Sequence, residues 1–166
     1  MLFKPTVWLK NVLQIDKKLL FKYKIKGLIL DLDNTLSTHG SPAAEFGVTE
    51  WLSALRGLGV KAVVVSNNTA KRVKPLAEEL GIGFVAFGCK PLPFGLRKGV
   101  KLLGLPKSRV ALVGDQILTD VAGGNLYGIK TILVEPFYLE DKPSFRLRRK
   151  IESAVFKRDF SKLEKR

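Results

Sequence analysis

Residues 25–36 read IKGLILDLDNTL, and this stretch decides the fold. Its apolar part, Gly27–Leu30, is typical of a strand buried on both faces. The strand ends at Asp31 and Asp33, with Leu32 between them. Side chains at positions i and i+2 of an extended chain point to the same side, so the two carboxylates repel each other unless a cation lies between them. Because Asp and Asn are also common where a strand turns into a loop, the motif alone leaves both interpretations open.

Four further apolar runs follow along the chain, and helical stretches separate them. The runs cover residues 60–65, 83–87, 110–113 and 131–134, and the predicted helices cover residues 49–58, 70–80, 94–103 and 118–127. Fully apolar strands that alternate with helices are typical of a parallel sheet covered on both faces. We therefore predict a three-layer α/β/α Rossmann-like fold with five parallel strands. In such folds ligands bind beyond the carboxyl ends of the strands.

The second predicted strand ends in Ser66 and Asn67, where the next helix begins. A hydroxyl group and the free backbone N–H groups of a helix start can form a cradle for an anion. The same residue types are also ordinary helix caps. Ser66 and Asn67 are therefore candidate phosphate-binding residues, with capping as the alternative.

The third predicted strand leads to Lys90, which precedes a proline. Lysines are usually solvated surface charges, but a lysine fixed opposite two acids is a candidate counter-charge for a phosphoryl group. The single histidine, His39, lies in a loop rich in Gly, Ser and Pro and is interpreted as a surface residue.

The fourth predicted strand runs into GDQILTD, which places Asp115 at the strand tip and Asp120 about one helical turn later. Four consecutive strands thus end in two acids, a serine, a lysine and two further acids. Hard oxygen ligands beside a lysine and a hydroxyl group suit Mg²⁺ and a phosphate. The sequence therefore predicts a magnesium and phosphate site at this edge of the sheet.

These motifs together resemble those of the haloacid dehalogenase-type phosphatases. DLDNTL is similar to the first motif of that superfamily, Ser66 to the second, Lys90 to the third and GDQILTD to the acidic fourth. The stretches VSNN and VGDQILTDVAGGN, with GIKTILVEP after them, resemble more narrowly the subfamily IIIA phosphatases of the YqeG type. That group is itself similar to the mitochondrial phosphatidylglycerophosphate phosphatase.

The resemblance implies a mechanism and a role for each motif residue. Asp31 would be the nucleophile, forming an aspartyl-phosphate, and Asp33 the general acid and base. Mg²⁺ would be held by Asp31, Asp115 and the backbone carbonyl of Asp33. The phosphoryl oxygens would be bound by Ser66, Lys90 and the backbone of Asn67, and Asp120 would orient the metal shell.

Composition limits the classes of protein to which the chain can belong. Its 166 residues are 46% apolar, which suits one domain with a core of its own. A single cysteine excludes a disulfide framework, and no apolar run approaches the roughly 18 residues that a membrane span needs. We expect a cytoplasmic protein, peripheral on the inner membrane face if it binds lipid.

The net charge of +14 is concentrated at the two ends of the chain. Residues 1–26 and residues 141–166 each carry a net charge of +6. An apolar stripe accompanies the basic residues at each end: Trp8, Leu9, Val12 and Leu13 in the first segment, and Leu147, Ile151, Ala154 and Val155 in the second. Basic amphipathic extensions of this kind can lie on anionic lipid. The alternative is that both stripes pack on the domain's own sheet.

The gaps between the motifs leave no room for a cap domain. Only residues 34–59 separate Asp33 from the second predicted strand, and only residues 67–89 separate Ser66 from Lys90. An open site suits a large substrate, and the resemblance favours an anionic phospholipid, phosphatidylglycerophosphate. The alternatives are a nucleic-acid end, a phosphoprotein or a sugar phosphate, or an inactive basic module that binds nucleic acid or the ribosome.

Overall fold

The computed structural model of this chain describes residues 1–137, which form a parallel sheet with helices on both faces. The strands are β1 (Val7–Leu9), β2 (Gly27–Leu30), β3 (Lys61–Val65), β4 (Gly83–Val85), β5 (Val110–Gly114) and β6 (Lys130–Val134). The α-helices are α1 (Lys17–Lys22), α2 (Val48–Gly57), α3 (Ala70–Glu79), α4 (Pro93–Leu103) and α5 (Ala122–Tyr127). The predicted parallel α/β fold is confirmed, and each predicted strand is present.

The sheet order is β1-β6-β5-β2-β3-β4, with every neighbouring pair parallel. Strand β2 therefore lies between β5 and β3, and its last residue, Leu30, is in register with both Val113 and Val64. This arrangement brings the carboxyl ends of the three strands to one edge of the sheet. The loops that follow them carry the predicted motifs.

The prediction of five strands is wrong, because the N-terminal segment adds a sixth. Val7 and Leu9 lie on β1, are buried, and pair with β6, so that β1 forms this edge of the sheet. The apolar stripe of this segment therefore runs through a short strand and a 3₁₀ turn at Val12–Gln14 rather than along one helix. A run of three residues has no periodicity that separates a strand from a helix, which is why the sequence did not reveal it.

Most of the N-terminal stripe packs on the domain, in agreement with the alternative interpretation, although Leu13 is 41% exposed. The side chain of Val12 is fully buried, and Trp51 of α2 donates a hydrogen bond to the backbone carbonyl of Ile15 at 3.1 Å. The C-terminal stripe at residues 147–155 lies outside the described residues.

The two faces of β2 contribute to separate hydrophobic clusters. Leu28 and Leu30 pack with the apolar residues of α2, α3 and the N-terminal segment. Ile29 points to the other face and packs with Leu96 and Leu103 of α4. The fully apolar strand is thus explained by burial on both faces, as a central parallel strand requires.

Close packing of α4 fixes the loop that carries Lys90. A Cβ atom on Gly95 would lie 2.4 Å from the carbonyl oxygen of Gly88, and a Cβ atom on Gly99 would lie 2.8 Å from Val65. Glycine is therefore needed at both positions for the helix to approach β3 and the loop that follows β4.

Within residues 1–137, none of the helices combines the length and the apolar character that crossing a bilayer demands.

Candidate active site

The predicted motif residues meet at the carboxyl edge of the sheet, around a cavity of about 200 Å³. The residues that line it are Asp31, Asp33, Asn34, His39, Ser66, Asn67, Asn68, Lys90, Gln116 and Thr119. They come from the loops after β2, β3, β4 and β5, as the parallel topology predicts.

Lys90 lies between two carboxylates at the base of this cavity. Its ammonium group donates to Asp31 Oδ1 and to Asp120 Oδ1, both at 2.6 Å. All three side chains are buried, and that of Lys90 is only 2% exposed. Lys90 therefore lies opposite the first acidic motif, as predicted, and Asp120 is a second carboxylate partner of its ammonium group.

Burial and mutual attraction change the ionisation of these groups. Burial raises the pKa of Asp31 to about 6, and the nearby Asp120 carboxylate adds to this, while Lys90 opposes it. Burial alone would lower the pKa of Lys90, but the carboxylates of Asp120 and Asp31 outweigh it and raise that pKa. The ammonium group is thus charged at every physiological pH.

Three carboxylates could hold a metal ion here. Asp31, Asp115 and Asp120 each offer an oxygen, and these oxygens lie within 4.8 Å of one another. A compact set of carboxylate oxygens is the donor chemistry that suits Mg²⁺, so the residues fit the ion that the motifs imply. Asp120 stands in this cluster as well as beside Lys90.

The side chain of Asp33 is held apart from the acidic cluster. Its carboxylate accepts hydrogen bonds from Arg72 at 2.7 Å, from Asn68 at 2.6 Å and from the backbone N–H of Gly40 at 3.3 Å. Arg72 also donates to the hydroxyl of Ser37 at 3.0 Å. The two Asp side chains of the first motif thus have different partners.

The turn that places Asp33 is anchored by apolar side chains. Leu32 and Leu36 are fully buried, and the carbonyl of Leu32 accepts from the N–H of Leu36 at 2.9 Å. Because both leucines point into the core, the intervening polar residues are held at the cavity.

Ser66 and Asn67 lie beside this turn, as predicted. The buried hydroxyl of Ser66 accepts a hydrogen bond from the N–H of Asn68 at 3.1 Å. The Asn67 side chain accepts from the N–H of Lys90 at 2.7 Å and donates to its carbonyl at 2.9 Å. Asn67 therefore holds the backbone of Lys90 in place, and this backbone positions the buried ammonium group.

Three residues beside Asp33 were not predicted from the sequence: Asn68, Arg72 and His39. Arg72 and Asn68 had no assigned role, although both follow the Ser66 motif at a helix start that faces the site. His39 is exposed, as expected, but its Nδ1 lies 3.8 Å from Asp33 and it lines the cavity. Its loop position gave no sign of this proximity.

Comparison with known proteins gives the family. Residues 45–128 match the family model for haloacid dehalogenase-like hydrolases. The chain is 38% identical over 153 residues to YqeG of Bacillus subtilis (strain 168), named a probable phosphatase, covering 92% of this chain and 89% of that protein.

Two further proteins are similar. Phosphatidylglycerophosphate phosphatase 1 of Arabidopsis thaliana is 30% identical over 93% of this chain, which spans only 47% of that longer protein. The fold is similar to that of the cobalt-bound deoxy-D-mannose-octulosonate 8-phosphate phosphatase from Haemophilus influenzae, with a TM-score of 0.52 and 16% identity over 81% of this chain and 89% of that one. The chain therefore belongs to the haloacid dehalogenase-like hydrolases and is a phosphatase of the YqeG type.

Proposed function

We propose that this phosphatase hydrolyses phosphate monoesters in two steps, with Asp31 as the nucleophile. A carboxylate oxygen of Asp31 would attack phosphorus as the bond from phosphorus to the leaving alcohol breaks, giving an aspartyl-phosphate. The observation that carries this proposal is the position of Asp31, buried at the base of the cavity and 2.6 Å from the Lys90 ammonium. That cation offsets the charge of an incoming phosphoryl group.

Asp33 would act as the general acid and then as the general base. It would give a proton to the leaving alcohol oxygen, and later take one from the water that attacks phosphorus and releases inorganic phosphate. Arg72 and Asn68 orient its carboxylate at the cavity wall. The phosphoryl oxygens would be bound by Lys90, by the hydroxyl of Ser66 and by the backbone N–H of Asn67.

Mg²⁺ would be held by the carboxylates of Asp31 and Asp115 and by the backbone carbonyl of Asp33, with Asp120 orienting this set. Its charge would reduce the repulsion between an anionic nucleophile and an anionic phosphoryl group. The close set of carboxylate oxygens supports this assignment.

A stable chromogenic ester tests the mechanism. Hydrolysis of 4-nitrophenyl phosphate should disappear in Asp31→Asn, should fall by about 10²–10⁴-fold in Asp33→Asn and should persist in the exposed control Glu50→Gln. Chelation should abolish activity and Mg²⁺ should restore it. Acid quenching with radiolabelled substrate should trap an alkali-labile phosphoprotein in the wild type and in Glu50→Gln, but not in Asp31→Asn. Normal turnover by Asp31→Asn would refute the assignment.

We infer that the substrate is an anionic phospholipid with a terminal phosphate, such as phosphatidylglycerophosphate. Within residues 1–137, one loop and α2 connect β2 to β3, and α3 with short flanking loops connects β3 to β4, so no cap domain is inserted between these strands. A membrane lipid can reach an open site more readily than an enclosed one. The phosphatidylglycerophosphate phosphatases of Arabidopsis thaliana and Chlamydomonas reinhardtii, 30% and 29% identical to this chain, support the same substrate.

A substrate panel tests this second proposal independently of the first. Phosphate release from phosphatidylglycerophosphate in vesicles should exceed release from sugar phosphates, nucleotides and phosphopeptides at equal concentration. Sedimentation with the vesicles would place the enzyme at the membrane surface. Faster hydrolysis of a soluble ester than of the vesicle lipid would exclude the lipid while leaving the mechanism intact.

A further inference from the structure

A second cavity lies at the amino edge of the sheet, opposite the active site. It has a volume of about 370 Å³, within the range of ligand pockets. Lys26, Val60 and Arg109 line it, and they stand just before β2, β3 and β5. Because an extended chain rises about 3.3 Å per residue, the five residues from Lys26 to Asp31 separate the two cavities by roughly 16 Å.

The charged part of this cavity is entirely cationic. Its lining includes Lys17, Lys24, Lys26 and Arg109, and within the described residues no acid is among its lining. Partial burial lowers the pKa of the neighbouring Lys130, and the cations of Arg109 and Lys24 add to this effect. Arg109 and Lys24 are therefore both close enough to Lys130 to repel its charge.

The rest of the lining is apolar. Leu20, Ile25 and Val60 are buried beneath the cavity. Phe21 and Leu58 stand at its rim with 86% and 42% of their surfaces exposed. An exposed phenylalanine beside a leucine offers a surface for a hydrocarbon chain, while the lysines and Arg109 surround it with charge.

Lys24 occupies a strained position in this lining. Its φ is 54°, in the left-handed region that favours glycine. It follows the end of α1, where the N–H of Lys24 donates to Phe21 and the N–H of Ile25 donates to Leu20, at 3.0 and 2.8 Å. Glycine is the usual residue at such a helix end. A lysine here adds a cation to the cavity at the expense of backbone strain.

We propose that this cavity binds one anionic amphiphile, with its carboxylate or phosphate head on Lys24, Lys26 and Arg109 and its hydrocarbon chain on Phe21 and Leu58. Charge complementarity selects an anion, and the apolar floor selects one that carries a chain. Residues 141–166 of this chain have a net charge of +6, so they do not supply the missing negative charge. The site is independent of the proposed function, because its occupant lies far from Asp31.

Calorimetric titration of the full chain with laurate below its micelle concentration tests the site. Laurate is a carboxylate that a phosphatase cannot hydrolyse. We expect saturable binding of laurate, much weaker binding of acetate, which lacks the chain, and of octyl glucoside, which lacks the charge. Saturating inorganic phosphate should leave laurate bound, since phosphate would occupy the other edge. Displacement of laurate by phosphate would indicate that laurate binds in the active site, and it would overturn the proposal.

Matched variants locate the binding. Lys24→Gly removes a cation and relieves the positive φ, so it should keep or raise the melting temperature. Combined with Arg109→Gln it should weaken laurate binding by about tenfold or more. The control pair Lys18→Gln with Lys74→Gln removes the same charge from exposed lysines that do not line the cavity. Phe21→Ser should weaken binding, and Leu126→Ser, also at an exposed apolar residue, should not.

The source of the ligand is resolved with vesicles. Loss of binding to vesicles rich in phosphatidylglycerol in the Lys24→Gly, Arg109→Gln variant would indicate a bilayer lipid, while unchanged vesicle binding with lost laurate binding would indicate a free amphiphile. Absence of laurate binding, or equal weakening in the control pair, would overturn the proposal. The proposal would also be overturned if a single-stranded oligonucleotide displaced laurate and bound the cavity more tightly.

Discussion

The ammonium group of Lys90 lies 2.6 Å from Asp31 Oδ1, and both side chains are buried at the base of the cavity. The two residues come from loops after different strands, 59 positions apart in the chain. Their contact places a fixed positive charge beside the proposed nucleophile before any substrate arrives. A charge that is already in position needs no reorganisation when the phosphoryl group gains negative charge.

Removing this cation should damage both activity and folding. Lys90→Met would leave Asp31 and Asp120 buried without their partner, and breaking a buried ion pair in this way costs about 3–5 kcal/mol. We expect the free energy of unfolding in urea to fall by that amount and kcat/KM to fall by about 10³-fold. Lys98→Met, on the exposed side of α4, is the control and should change neither. Activity of Lys90→Met within tenfold of the wild type would contradict the assigned role.

The raised pKa of Asp31 predicts how stability depends on pH in the metal-free protein. The folded chain holds this proton up to a pKa of about 6, against 3.8 ordinarily, chiefly because the group is buried. Between these values the native state binds more protons than the unfolded state, so the contribution of Asp31 to stability decreases as pH rises from about 4 to about 6. It is constant at higher pH.

Urea unfolding in a chelating buffer, at intervals from pH 4 to pH 7, measures this contribution. The difference in unfolding free energy between the wild type and Asp31→Asn should decrease through that window and then level off. Contributions of groups remote from the Asp31, Lys90 and Asp120 cluster are the same in both proteins, so they cancel in the difference. A difference that is flat or rises between pH 4 and pH 6 would contradict the assignment of a raised pKa to Asp31.

Much of the fold and of the candidate active site could be predicted from local sequence. An apolar run such as Gly27–Leu30 is recognisable because a central parallel strand is buried on both faces, and the parallel topology then brings the strand ends together. For this reason Asp31, Ser66 and Lys90 were placed at one cavity without knowledge of their contacts.

The parts that could not be predicted depend on long-range contacts. Strand β1 is three residues long and is defined by its pairing with β6, more than 100 positions away. Arg72 reaches Asp33 across 39 positions, and no local pattern encodes such a pair. Asp120 lies in a π-helical turn at Ile117–Val121, where the periodicity predicted an ordinary helix, and this turn carries its carboxylate to Lys90.

Arg72 should support catalysis by holding the carboxylate of Asp33. Arg72→Met removes the hydrogen bond at 2.7 Å, and charge-assisted bonds of this kind contribute about 1.5–3 kcal/mol. We expect kcat for 4-nitrophenyl phosphate to fall by about tenfold to 10²-fold, with a smaller change in KM. Arg72→Lys should recover part of the loss. Lys71→Met, an exposed neighbour on α3, should behave as the wild type, and an unchanged kcat in Arg72→Met would show that Asn68 alone suffices.

Gly114 leaves the space that Asp120 occupies, so an added methyl group there should disrupt the acidic cluster. A Cβ atom on Gly114 would lie 2.3 Å from Asp120 Cγ, far inside contact distance, whereas one on Gly83 would lie 3.8 Å from Val63. Gly114→Ala should therefore displace Asp120 from Lys90, reduce the free energy of unfolding by about 1–3 kcal/mol and raise the Mg²⁺ concentration needed for half-maximal activity. Gly83→Ala is the matched control, and it should keep the stability and the Mg²⁺ requirement of the wild type. If Gly114→Ala behaves like that control, Asp120 does not need its present position.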